Sequence, residues 1–193
     1  MPNHITNKIF VFGTDENKQN FFNRVITKIE GEVNYFDLSQ IIPENNDDGN
    51  YNADYHRDIW GTKWNTYDNK DNNISEYQFE TAWNCPYKVI EFLATENNNI
   101  DFVWFYADED TGANMGIYIL YKNTLHYVNL VEVINSELRK TRISSVIQGE
   151  EYYYDNTDDG NEIKISKGYV ENTFKYLFKL ARQTVGDCKA FRK

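Results

Sequence analysis

The chain has two cysteines, three prolines, two methionines and three histidines among its 193 residues. Cys85 and Cys188 lie far apart, which excludes a disulfide scaffold and offers no zinc-ligand spacing. His4, His56 and His126 share no His-x-x-x-His interval, so none is expected to be a metal ligand. No run of 18 apolar residues occurs, and the apolar stretch at residues 9–12 is too short for a signal-peptide core. The expected compartment is therefore the cytoplasm, with no membrane contact. There is no Gly-x-Gly-x-x-Gly and no phosphate-cradling loop ending in Lys-Ser or Lys-Thr. No cofactor is expected, and the absence of catalytic motifs leans the reading away from an enzyme. Linkers rich in Pro, Gly or Ser and internal repeats are lacking too.

What is abundant is aromatic and acidic. Fifteen Tyr, 12 Phe and 4 Trp supply enough area for a real core, although the mean hydropathy is only −0.72. The net charge is −10, and its distribution is uneven. Residues 143–162 carry six acids and no base, whereas residues 163–193 carry eight bases and two acids. An acidic surface repels phosphates, so direct nucleic-acid binding is not expected. The same charge would allow the protein to occupy another protein's nucleic-acid groove as a mimic.

Periodicity divides the chain into strand–helix–strand halves. His4 to Phe12 reads as a strand ending at Gly13. Phe21, Phe22, Val25, Ile26 and Ile29 then recur at helical spacing until Gly31. Residues 33–38 read as the second strand. In the other half, residues 77–83 alternate, with Tyr77, Phe79, Thr81 and Trp83 on one face. Pro86 opens a helix with the stripe Val89, Ile90, Leu93, and residues 102–106 form an apolar run suited to a strand buried on both faces. A hairpin at residues 116–130 turns at Lys122-Asn123. A helix over residues 131–140, a hairpin through the acidic loop at 155–162 and a basic helix ending near Val185 complete the pattern. The resulting expectation is an α+β, ferredoxin-like antiparallel sheet with both helices on one face. Residues 1–130 form its core, including a crossover insertion at 44–75. Residues 131–193 are a C-terminal elaboration, a hairpin plus helix, packed on that core as one unit.

Within the insertion stands Trp-Gly-Thr-Lys-Trp-Asn at residues 60–65. Together with the N-terminal Met1-Pro2-Asn3-His4, the Phe36-Asp37-Leu38 and Ile42-Pro43 passage and Phe79-Glu80-Thr81-Ala82-Trp83, it resembles the Api92-like, or YubB ferredoxin-like, family. Members are small proteins of phages, plasmids and other mobile elements. The resemblance covers residues 1–130, and the chain departs from the family pattern after residue 140. It implies a ferredoxin-like fold without an iron–sulfur cluster and a mobile-element origin, hence a host cytoplasm if phage-encoded. It implies no activity.

Read from the residues alone, Trp60 and Trp64 would share a face if residues 55–64 are helical, and would bury their rings against Trp83. Gly61 would permit a close backbone approach, Asn65 would cap or turn the exit, and Lys63 would point away. Such a segment either staples the crossover to the sheet or forms a binding ridge, since Trp and a cation are hot-spot chemistry. Asp108, Glu109 and Asp110 follow a buried strand and could gather near Lys63 or His56. Neither this turn nor residues 155–166 matches a calcium loop: the first has Gly in fifth place, the second ends in Ser where a Glu is needed. Cys85 at a helix start reads as a buried structural thiol. The candidate site is thus Trp60, Lys63, Trp64, Asn65, Trp83 and Asp108. The leading expectation is a non-enzymatic mobile-element accessory protein that binds a host or element protein, with inhibition of a host defence system as its sharper form. The alternatives are the acidic nucleic-acid mimic and a small-molecule-binding protein or enzyme with its pocket at the Trp-rich crossover.

Overall fold

The structure, a computed structural model, describes residues 3–28, 34–45, 52–96, 99–154 and 161–186. The expectations placed on Ile29, on Gly31, on the acidic loop at 155–160 and on Cys188 fall outside these residues.

β1 (His4–Phe12) leads into α1 (Asp15–Val25), where the Thr14 hydroxyl accepts from the Asn17 amide as N-cap. A two-residue hairpin, β2 (Ile26–Thr27) with β3 (Tyr35–Phe36), precedes α2 (Leu38–Ile41) and α3 (Ala53–Ile59). Next come β4 (Tyr67–Asn73), β5 (Glu76–Ala82), α4 (Tyr87–Thr95), β6 (Asp101–Asp108), β7 (Met115–Tyr121) and β8 (Thr124–Asn129). The chain continues through α5 (Leu130–Val133), α6 (Glu137–Gln148), the hairpin β9 (Tyr152–Tyr154) with β10 (Glu162–Lys164), and α7 (Lys167–Val185).

Six strands form one antiparallel sheet in the order β4-β5-β1-β6-β7-β8. Two strand–helix–strand units, β1-α1-β4 and β5-α4-β6, are split around each other: β5 lies between β1 and β4, and β1 lies between β5 and β6. That interleaving is the ferredoxin-like arrangement, here widened by β7 and β8. The second strand of the first unit is therefore β4. Residues 33–38, expected in that position, supply only the short β3, which pairs with β2 outside the main sheet. The stretch 44–75 is accordingly part insertion and part core strand.

Alternation sends side chains to two cores. On one face Ile9, Val11, Tyr77, Phe79, Phe102 and Trp104 pack with Phe21, Phe22 and Val25 of α1 and Val89, Ile90 and Leu93 of α4. On the other, Phe10, Val103, Phe105, Ile117 and Ile119 meet Ile143 and Ile147 of α6 and Leu177, Phe178 and Ala181 of α7. Covered from both sides, β6 has no polar alternation, as its sequence suggests. The expected helix at 131–140 is instead two: α5 stops at Val133, and α6 starts after the Ser136 cap and runs to Gly149, which takes a left-handed conformation. Lys122 and Asn123 both have positive φ, the geometry of a tight hairpin turn.

One polar group lies at the centre of the first core. Asn7 is fully buried; its amide donates to the Ile5 carbonyl and the Thr81 hydroxyl at 2.9 Å, and its oxygen accepts from Trp104 Nε1 at 3.1 Å. Every hydrogen-bonding atom of the side chain is used, which makes its burial tolerable. Cys85, next to Tyr106 and the edge of Tyr118, is buried as expected, and burial pushes its thiol pKa well up.

Candidate functional site

The Trp-Gly-Thr-Lys-Trp-Asn stretch folds as a strap across the end of the sheet. α3 begins at Asn52, whose side chain accepts from the Asp54 and Tyr55 amides, and ends at Trp60. Gly61 follows with φ +86°, so the chain can turn back. Thr62, fully buried, then donates to the Ala82 carbonyl at 2.8 Å and accepts from the Ala82 amide at 3.2 Å. The Lys63 amide adds a bond to the same carbonyl at 3.2 Å. These bonds stitch the strap to the end of β5.

Because α3 stops at residue 59, Trp60 and Trp64 do not share a helical face. Trp60 is fully buried, stacked on His56 with ring centroids 4.6 Å apart, and its Nε1 donates to the Ile42 carbonyl at 2.9 Å. It belongs to the first core and does not contact Trp83 as expected. Trp83 breaks the alternation of β5. Its φ is +72°, its amide donates to the Asn3 carbonyl, and 40% of its surface is exposed. For a large aromatic residue this backbone conformation is a genuine outlier.

Around Trp83 the strap gathers cations. Lys63 Nζ lies 4.4 Å from the Trp83 ring centroid and 4.8 Å from that of Trp64, and the Arg57 guanidinium carbon lies 5.1 Å from Trp83. Lys63 therefore bridges two indoles, where the sequence placed it pointing away. Trp64 meets the edge of Tyr67, whose hydroxyl lies 2.6 Å from His4 Nδ1 and donates to the Thr81 carbonyl at 3.2 Å. Glu80 stands 3.3 Å from the same His4 nitrogen. Burial, reinforced by the carboxylates of Glu80, Glu109 and Asp68, drives the Tyr67 pKa up and keeps it a donor. His4 and Tyr67 were missed in the sequence, because only the pairing of β1 and β4 with β5 brings them here; Arg57, also missed, arrives on α3.

Two other candidates do different work. Asn65 accepts from the Leu38 amide at 2.9 Å and donates to Asp37 at 2.7 Å, tying the strap to α2. Asp108 ends β6 and is engaged locally, accepting from the Asp110 amide at 2.9 Å and from the side chains of Asn3 and Asn114 at 3.3 and 3.4 Å. Among the described residues no three His, Cys, Asp or Glu side chains converge at metal-binding spacing, and no helix is long and apolar enough to cross a membrane.

Asp37 yields a pH prediction. Burial alone would raise its pKa, but hydrogen bonds from Ser39, Thr27 and Asn65 outweigh that and hold it below the ordinary 3.8. A depressed carboxylate contributes stability above its unfolded pKa and loses it as pH falls through the folded one. Between about pH 5 and 3, the urea midpoint of the wild type should therefore fall further than that of Asp37→Asn. Parallel slopes would refute the role.

Comparison with known proteins finds one match. A family model described as the ferredoxin-like domain in Api92-like protein matches residues 60–157, just over half of the chain. No curated protein and no solved structure matches. The matched segment starts at Trp60 and includes the strap, β4 to β8, α5, α6 and β9, so α6 is part of the family pattern expected to end near residue 140. β1 and α1, which complete the split sheet, precede it. The strap's Trp-Gly-Thr-Lys-Trp-Asn and the interleaved strands thus agree with the family match, and the chain belongs to the Api92-like family as a ferredoxin-like α+β protein.

Proposed function

We propose that the protein is a non-enzymatic binding protein that engages a partner protein through the ridge formed by Trp83, Lys63, Trp64 and Arg57. The observation that carries this reading is Trp83 itself, a large indole held in a costly backbone conformation and left 40% exposed. Strained, exposed residues persist where the surrounding structure imposes them, and they cluster at functional sites. Trp flanked by cations is the side-chain chemistry that dominates binding energy at protein interfaces. Lys63 and Arg57, the latter also paired with Asp54, make the ridge complementary to a partner segment offering a carboxylate beside an apolar side chain. The separation of Trp60 into the core counts against a small-molecule pocket lined jointly by Trp60, Lys63, Trp64 and Trp83. The family resemblance supports the narrower reading of a mobile-element accessory protein acting on a host protein, with a defence system as the target class.

Wild-type and Trp83→Ala proteins used as parallel baits in host lysate test the proposal. Trp83→Ala should change folding stability by less than about 1 kcal/mol, because the ring is outside both cores. It should weaken capture of the specific partner by about thirtyfold or more, the size of a 2 kcal/mol hot spot. Identical capture by the two baits would refute the ridge as the binding surface.

A further inference from the structure

The second face of the sheet is only partly covered. α7 lies over β7 and β8, and α6 over β6 and β1. Beyond α7, towards the Glu76 end of β5, an open groove of about 360 Å³ remains between α7 and the sheet. Its floor is aromatic. The Phe10 ring meets Phe178 edge-on with centroids 5.1 Å apart and Phe174 at 5.7 Å, so the rings are locked against each other. At the inner wall Lys8 lies 3.2 Å from Glu76 and 4.9 Å from the Phe174 centroid, a pair that cancels its own charge.

The rim differs from the wall. Lys175 and Arg182 stand two turns apart on α7 and both line the groove. Among the described residues, neither has a carboxylate within 4 Å. Glu171 is the remaining acid in the lining, which leaves one net positive charge over an apolar floor. In a chain of net charge −10 this is a local reversal of sign. The global field disfavours a polyanion, whereas one small carboxylate meets the local cations and carries little repulsion. The volume falls within the range of small-ligand sites, which pair an apolar lining with a few placed polar groups. An Arg guanidinium is the side chain best shaped for a carboxylate.

We propose that this groove binds a small amphipathic carboxylate, its aromatic or aliphatic body resting on Phe10, Phe174 and Phe178 and its charge held by Arg182 and Lys175. The site lies on α7, outside the family match, and is distinct from the Trp83 ridge.

The test titrates the full chain with 1-naphthoate and with the neutral 1-naphthalenemethanol, followed by amide chemical shifts in two-dimensional NMR. Naphthoate should give saturable shifts at Val170, Phe174 and Phe178, and the alcohol should bind about tenfold or more weakly. Arg182→Gln with Lys175→Gln should weaken naphthoate about tenfold, leave the alcohol unchanged and keep the thermal midpoint. Non-saturable shifts at millimolar naphthoate, equal binding of acid and alcohol, or shifts centred on Trp83 would each overturn the proposal. So would full naphthoate affinity in the folded double variant.

Discussion

Trp60→Ala should lower folding stability by about 3–5 kcal/mol, the cost of emptying the site of a fully buried large aromatic side chain. The loss has two sources. The indole fills space in the first core, and its truncation leaves a cavity there. Its Nε1 is also a partner of the Ile42 carbonyl, so alanine removes that hydrogen bond, while His56 loses the ring stacked on it. Trp64→Ala provides the contrast, since Trp64 is only half-buried and should cost under about 1 kcal/mol. Urea denaturation of both variants separates the cases. Equal losses would show that the strap does not depend on Trp60 as a staple.

Gly61→Ala, one residue on, should be comparably damaging for a different reason. A Cβ at this position would lie 2.6 Å from Tyr87 Cδ1 and 3.2 Å from the Tyr87 backbone nitrogen, and the backbone φ is +86°. The left-handed conformation costs an L-residue about 1–2 kcal/mol, and forced overlap adds about 1–3. Gly149 supplies the control: its φ is +78°, but the nearest atom to an added methyl would be Gln78 Nε2 at 3.8 Å. Gly149→Ala should therefore show only the conformational part, about 1–2 kcal/mol. If both variants lose the same stability, the close approach of the strap to α4 contributes nothing.

Where side chains are sorted by burial, sequence and structure agree. β5 alternates because one face meets α1 and α4 while Glu76, Gln78 and Glu80 point to the other. β6 carries no charge from Phe102 to Ala107 because both of its faces are covered. α4 and α7 are marked by their stripes, and the β7–β8 turn by Lys122-Asn123. β4 is not legible. Tyr-Asp-Asn-Lys-Asp-Asn-Asn has poor strand propensity, and it is held in the sheet by pairing to β5, with register shifts along the way. Charged and irregular edge strands also discourage pairing with other chains, which explains a composition that looks like loop. Within the site, the aromatic strap is legible as a segment but not as an arrangement. Indole spacing suggests one helical face, whereas the turn at Gly61 sends Trp60 inward and leaves Lys63 and Trp64 outside. Alternation misplaces Trp83, because it says nothing about where a strand's backbone changes hand.

The position of β1 has a consequence for synthesis. His4 pairs with Ala82 on one side and Ile5 with Asp108 on the other. On a ribosome this strand emerges long before either neighbour: one edge stays open until residue 82 has been made and the other until residue 108. Asn7 and Lys8 sit at its midpoint, before the apolar run Ile9 to Phe12. In the nascent chain they act as gatekeepers against self-association. In the finished sheet the same two residues find Thr81, Trp104 and Glu76. The strand that waits longest for its second neighbour thus carries its own protection.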